Sequence, residues 1–226
     1  MSELALRLIA ENKKTKATFL DLGNCGLTEV PEELGELVWL EELSFSSGWW
    51  DENGEKGSSN KGAVNKIARL KLAPFVPLKK LRKLWLNGYH NNEFALTDLS
   101  PLSHLLSLQL LSIGSTPVSD LSPLAGLAAL QELYVWNTPV SDLSPLAGLA
   151  ALQSLNVGGT QVSDLSPLAG LAALQVLCAW GTQVSDLSPL AGLVALQELY
   201  VWNTPVSDLS PLSGLAALQE LDARDT

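Results

Sequence analysis

Histidine, cysteine and, over the second half, basic charge are the scarce features of this 226-residue sequence. His90 and His104 are isolated from each other, and so are Cys25 and Cys178. They offer no metal-ligand spacing and no nucleophile–base pair, and the chain has neither a phosphate-binding loop nor a G-x-S-x-G elbow. The expectation is therefore a protein that is not an enzyme and that takes no cofactor and no metal. Long apolar runs are also missing: nothing approaches the ~20 consecutive apolar residues of a membrane helix. The opening segment has Leu4, Leu6, Leu8 and Ile9, but Arg7 breaks the run and Lys13 and Lys14 follow soon after. That is not a secretory leader, so a cytoplasmic location and no membrane partner are expected.

Apolar residues make up 46% of the chain and charged residues 17%, enough for a large core and too apolar for disorder. The net charge of −10 is unevenly spread. Residues 1–83 carry 13 Lys/Arg against 12 Asp/Glu, whereas residues 84–226 carry only Arg224 against 12 acidic residues. The second part should repel nucleic acid and anionic lipid. Its expected partner is a neutral or basic protein or peptide, not nucleic acid.

An internal repeat dominates what is present. Val-Ser-Asp-Leu-Ser-Pro-Leu begins at Val118, Val140, Val162, Val184 and Val206, and a diverged copy begins at Leu96, so the period is 22 residues. Within one unit Leu133 and Val135 alternate with Glu132, Tyr134 and Trp136, the period of a short strand with one face inward. Asp142 is placed to close a turn onto the backbone two residues on. Ser144 is expected as the N-cap, and Pro145 as the first residue, of a short helical or 3-10 turn that points Leu146 and Leu149 inward. A unit of this size cannot bury its own leucines, so stacked neighbours must supply the core. In such a stack Cys25 and Cys178, 153 positions apart, are too distant for a disulfide.

The unit resembles the leucine-rich-repeat pattern L-x-x-L-x-L-x-x-N-x-L, and its continuation V-S-D-L-S-P-L-A-G-L-A-A-L is similar to the 22-residue repeats of internalins. The resemblance covers about residues 17–226 and implies a curved α/β solenoid. That fold would be a right-handed coil with a parallel sheet on the concave side, 3-10 or α turns on the convex side and an N-terminal capping helix over residues 1–16. One departure is the ladder asparagine, replaced by threonine at 116, 138, 160, 182, 204 and 226. A hydroxyl can still bond nearby backbone, but such a ladder should be weaker. The first repeat, Phe19-Leu-Asp-Leu22 through Val30-Pro31-Glu-Glu-Leu34, preceded by a helix, resembles the repeats of bacterial Roco-type proteins.

Residues 46–66 and 87–95 interrupt the pattern. The first is rich in Gly, Ser and Asn without periodicity and reads as a long loop, functional or disordered. The last unit stops after its strand at Thr226 without a polar capping segment. The expectation drawn from this is a piece of a longer protein, with a downstream domain in the same polypeptide.

The outward strand positions are the natural binding face. The residues singled out there are Trp85, Glu132, Tyr134, Trp136, Asn156, Cys178, Trp180, Glu198, Tyr200, Trp202 and Asp222. Leucine already fills the core, so the indoles are available as interface anchors. The reading is a protein–protein interaction scaffold with an acidic, Trp-rich concave face. The alternative is the regulatory arm of a larger protein such as a Roco-type GTPase, and a secreted internalin-like adhesin comes third. The aspartates at 98, 120, 142, 164, 186 and 208 read as repeated turn caps and not as a cation track.

Overall fold

A computed structural model describes residues 2–51, 54–88 and 94–226. His90 and the middle of the 87–95 segment lie outside the described residues. The chain divides into two units, residues 1–117 and 118–226.

The first unit opens with α1 (Glu3–Thr15), capped by the Ser2 hydroxyl at its start and closed by Lys16 in the left-handed region. The expected N-terminal helix is thus present, within the expected segment 1–16. Its apolar face buries Ala5 and Ile9. Asn12 is buried beside them because its side chain is fully used. Its Nδ2 donates to the Ala17 and Phe19 carbonyls, and its Oδ1 accepts from Trp39 Nε1 at 2.9 Å.

Four short strands follow in parallel: β1 (Phe19–Asp21), β2 (Glu42–Ser44), β5 (Lys83–Trp85) and β6 (Leu110–Ser112). Their central leucines, Leu20, Leu43, Leu84 and Leu111, are in register and buried.

The 46–66 insertion is not a structureless loop. It contains an antiparallel hairpin, β3 (Gly48–Asp51) with β4 (Gly54–Gly57), and then runs back to the stack. Asp21 anchors it by accepting from the Ser58 hydroxyl at 2.9 Å and the Ser59 amide at 3.2 Å. At its end Asn65 is buried and makes four hydrogen bonds. It accepts from the amides of Cys25 and Leu27 and donates to the carbonyls of Leu22 and Phe45. Asn65 with Ile67 restores the N-x-L of the second repeat after a detour of about twenty residues. Among the described residues the ladder asparagine survives at Asn65, in the place that insertion disguises.

The second unit repeats one coil. Its strands are β7 (Glu132–Tyr134), β8 (Ser154–Asn156), β9 (Val176–Cys178), β10 (Glu198–Tyr200) and β11 (Glu220–Asp222), parallel and in register with no slip. Each strand is followed by a residue in the left-handed region, filled in turn by Asn137, Gly159, Gly181, Asn203 and Asp225. Those are the residue types that tolerate positive φ.

The next residue is the ladder threonine. Thr138, Thr160, Thr182 and Thr204 are buried, and each hydroxyl donates at 2.6 Å to the carbonyl three residues before it. The bond stays within one coil, whereas each Asn65 bond spans twenty residues or more.

The aspartate turns are as expected: the Ser amide donates to the preceding aspartate Oδ1 at 2.8 Å in every copy from Asp120 to Asp208. The cap assignment differs by one residue. Ser144 is the first residue of the 3-10 turn Ser144–Leu146 and makes no side-chain cap; Leu143 precedes it in the cap position. The aspartate, not the serine, satisfies the exposed amide. Leu143, Leu146, Leu149 and Leu152 are then carried inward to meet Leu133 and Val135, all at 0–1% exposure. The last coil is open, with Leu209 at 41% exposure where Leu187 has 1%.

Candidate interaction face

Strand residues alternate between core and surface, so each coil presents its first and third strand positions outward. The two units treat that surface differently.

In the first unit the face is closed at the third strand positions, Ser44, Trp85 and Ser112. Trp85 occupies the outward position expected of it but is only 2% exposed. Trp49 of the hairpin lies over it, with ring centroids 5.8 Å apart, and also packs on Phe19 at 5.8 Å. Asn87 is buried too. It accepts from the Ser46 hydroxyl at 2.9 Å and donates to the Gly48 carbonyl at 3.1 Å. Leu110 and Ser112 are likewise buried. Trp85 is therefore part of a second, smaller core and is not presented to solvent. The sequence signal that could have shown this is the Trp49-Trp50 pair in an insertion that is mostly polar.

In the second unit all ten remaining residues singled out from the sequence are half-buried and outward. They form rows across the strands. Glu132, Ser154, Val176, Glu198 and Glu220 are aligned in one register row. Tyr134, Asn156, Cys178, Tyr200 and Asp222 form the next. Two residues further along each coil stand Trp136, Gly158, Trp180, Trp202 and Arg224.

Local contacts set each side chain. The Tyr134 hydroxyl donates to Glu132 Oε2 at 2.6 Å, and the Tyr200 hydroxyl donates to Glu198 Oε2 at 3.0 Å. Burial, then the neighbouring carboxylates, holds both phenols well above their usual range, so they stay protonated donors. Asn156 Oδ1 accepts from the Gly158 amide. Trp180 and Trp202 stack in parallel, 5.1 Å apart with 7° between planes. The stack needs Gly158, because a Cβ there would collide with the Trp180 ring. Burial pushes the Cys178 thiol up to about 12, which makes it a poor nucleophile near neutral pH. Asp222 pairs with Arg224 through two bonds of 2.8 and 2.6 Å. That pair was missed from the sequence, where Arg224 shows no periodic partner.

Among the described residues no helix is long and apolar enough to cross a membrane, and no group of His, Cys, Asp and Glu is arranged to hold a metal ion.

Coils of one short strand and one 3-10 turn, stacked on buried leucines, define a leucine-rich-repeat solenoid. A family profile for leucine-rich repeats (two copies) matches residues 128–170 and 172–214. No curated protein matches the sequence. Among solved structures, internalin C2 from Listeria monocytogenes is 33% identical with a TM-score of 0.73, covering 89% of this chain and 78% of that one. An internalin, InlF, from the same species is 24% identical with a TM-score of 0.69, covering 94% of this chain and 63% of that one. A complex of TLR13 with ssRNA13 is similar in fold, at 20% identity and a TM-score of 0.68. This chain covers 29% of that protein. The chain belongs to the leucine-rich-repeat family, with repeats of the internalin kind. Proteins of this fold are generally interaction scaffolds.

Proposed function

We propose that the chain is a binding scaffold that holds a protein or peptide on the outward face of β7–β11. The observation that carries this reading is the contrast between the two faces. In the first unit the outward aromatic is covered by the chain's own hairpin. In the second, Tyr134, Trp136, Trp180, Tyr200 and Trp202 line an uncovered face that the leucine core does not need. Half-buried Trp and Tyr held by neighbours lose little freedom on binding and are the residue types that dominate interface energetics.

Charge narrows the partner. Residues 118–226 carry ten acidic residues and one basic residue, Arg224, which Asp222 already occupies. A neutral or basic surface is therefore favoured. TLR13 was solved with single-stranded RNA, but a polyphosphate backbone would meet net repulsion on this unit.

The test is the double variant Trp136→Ala with Trp202→Ala. It is expected to keep the circular dichroism spectrum and melting behaviour of the parent. It should lose binding by at least tenfold, because removing a good aromatic anchor costs about 2 kcal/mol. Unchanged affinity for the partner would remove the aromatic face from consideration.

A further inference from the structure

We propose that the face of β7–β11 selects an extended peptide segment carrying two basic side chains four residues apart. This rests on the reading of that face as an interaction surface and adds the chemistry that it selects.

The argument starts from register. In the first outward row, carboxylates stand at Glu132 and Glu198, with Ser154 and Val176 between them. Neighbouring strands lie about 4.8 Å apart, so three steps place the two glutamates roughly 14 Å apart. A peptide crossing the strands in extended form advances about 3.4 Å per residue, with residues i, i+2 and i+4 on one side. Its i and i+4 side chains are therefore also roughly 14 Å apart. Spacings of i+2 or i+3 fall short or point to the other side.

The space between the glutamates suits the crossing chain. Ser154, Asn156, Val176 and Cys178 are short side chains between the bulkier Glu132–Tyr134 and Glu198–Tyr200 pairs. The tryptophan row bounds the other side. Because Trp180 and Trp202 stack on each other, they offer ring edges along that border and no open slot between their faces.

Charge points the same way. Each tyrosine hydroxyl engages Oε2 of its own glutamate, that of Tyr200 also interacting with Glu220, and leaves Oε1 of Glu132 and Glu198 for another donor. Among the described residues Glu132, Glu198 and Glu220 form no ion pair, and the unit's one cation, Arg224, has its guanidinium committed to Asp222. Glu198 and Glu220 are direct register partners. Like charges in that position repel, and a guanidinium lying between them would relieve the repulsion while bonding both.

The experiment titrates the full chain with short labelled peptides of serine and alanine bearing two arginines at i/i+2, i/i+3 or i/i+4, or one arginine, read by fluorescence anisotropy. The i/i+4 peptide should bind about tenfold more tightly than the others, in line with the energies of close interfacial charge pairs. Glu132→Gln and Glu198→Gln should each reduce it to the level of the single-arginine peptide without changing the thermal melt. Affinity that ignores spacing, or that survives both glutamate substitutions, overturns the proposal. If that unspecific binding is nevertheless lost in the double tryptophan variant, the interaction face stands and only the register argument falls. No binding by any arginine peptide also overturns the proposal, and the face then answers to the double tryptophan variant with its own partner.

Discussion

Residues 1–117 and 118–226 are made from the same kind of coil, yet they spend their outward side chains in opposite ways. The first unit turns its strand face into a second core. A hairpin brings Trp49 down on Trp85 and Phe19, and Asn65 stitches the detour back into the stack. The second unit has no insertion, and its Trp180 and Trp202 rest on each other and on Gly158. A repeat thus sets where a side chain emerges, and what lies above it decides whether that side chain is core or surface.

The two kinds of ladder residue should differ most. Asn65→Ala would leave two buried amides and two buried carbonyls without partners, and a loss of about 4 kcal/mol is expected at roughly 1–3 kcal/mol per abandoned group. Urea unfolding followed by circular dichroism measures it, and a loss below 1 kcal/mol would show that water replaces the side chain.

Next in size is Trp49→Ala. Truncating a buried indole costs about 3 kcal/mol, and Trp85 should become open to acrylamide quenching. The second unit's tryptophans supply the contrast, because they are already half-exposed in the parent.

Thr160→Ala removes a single bond to the Val157 carbonyl within its own coil, so about 1 kcal/mol is expected from the same urea experiment. A cost equal to that of Asn65→Ala would erase the distinction between the ladders.

The smallest effect is in acid. The carboxyls of Asp120, Asp164 and Asp186 are held below their ordinary value of 3.8 by the side-chain and then the backbone hydrogen bond from the serine two residues on. At Asp208 the backbone bond comes first. A folded-state value lowered in this way stabilises the fold above pH 3.8, and that contribution is lost as pH falls through the lowered values. These groups are fully exposed, so the shift in melting temperature between pH 5 and pH 2 should shrink only slightly in Asp164→Asn. An unchanged shift would show that the turn bond carries no linkage.

Much of this was legible from spacing alone. The 22-residue period placed the strands, the aspartate turns and the ten outward residues of the second unit, because a strand's two faces alternate without regard to what lies above them. Two things escaped. Trp85 stands at the same repeat position as the half-buried Tyr134, and only the hairpin over it makes it buried. Asn65 carries the ladder signature, but twenty residues of polar insertion hide which repeat it completes. The serine of the Ser-Pro turn was misplaced by one position, since the aspartate two residues earlier already satisfies its amide.

Composition and period were sufficient to determine that leucines must be shared between coils, since no 22-residue unit can shield its own apolar side. They were equally sufficient to determine that one part of the chain is acidic almost without relief. Tertiary structure alone decided which aromatics stay available, because burial of an outward side chain depends on a segment distant in sequence folding across it. It also decided how the Glu, Tyr and Trp rows line up, which follows from strand register and from no property of any single repeat.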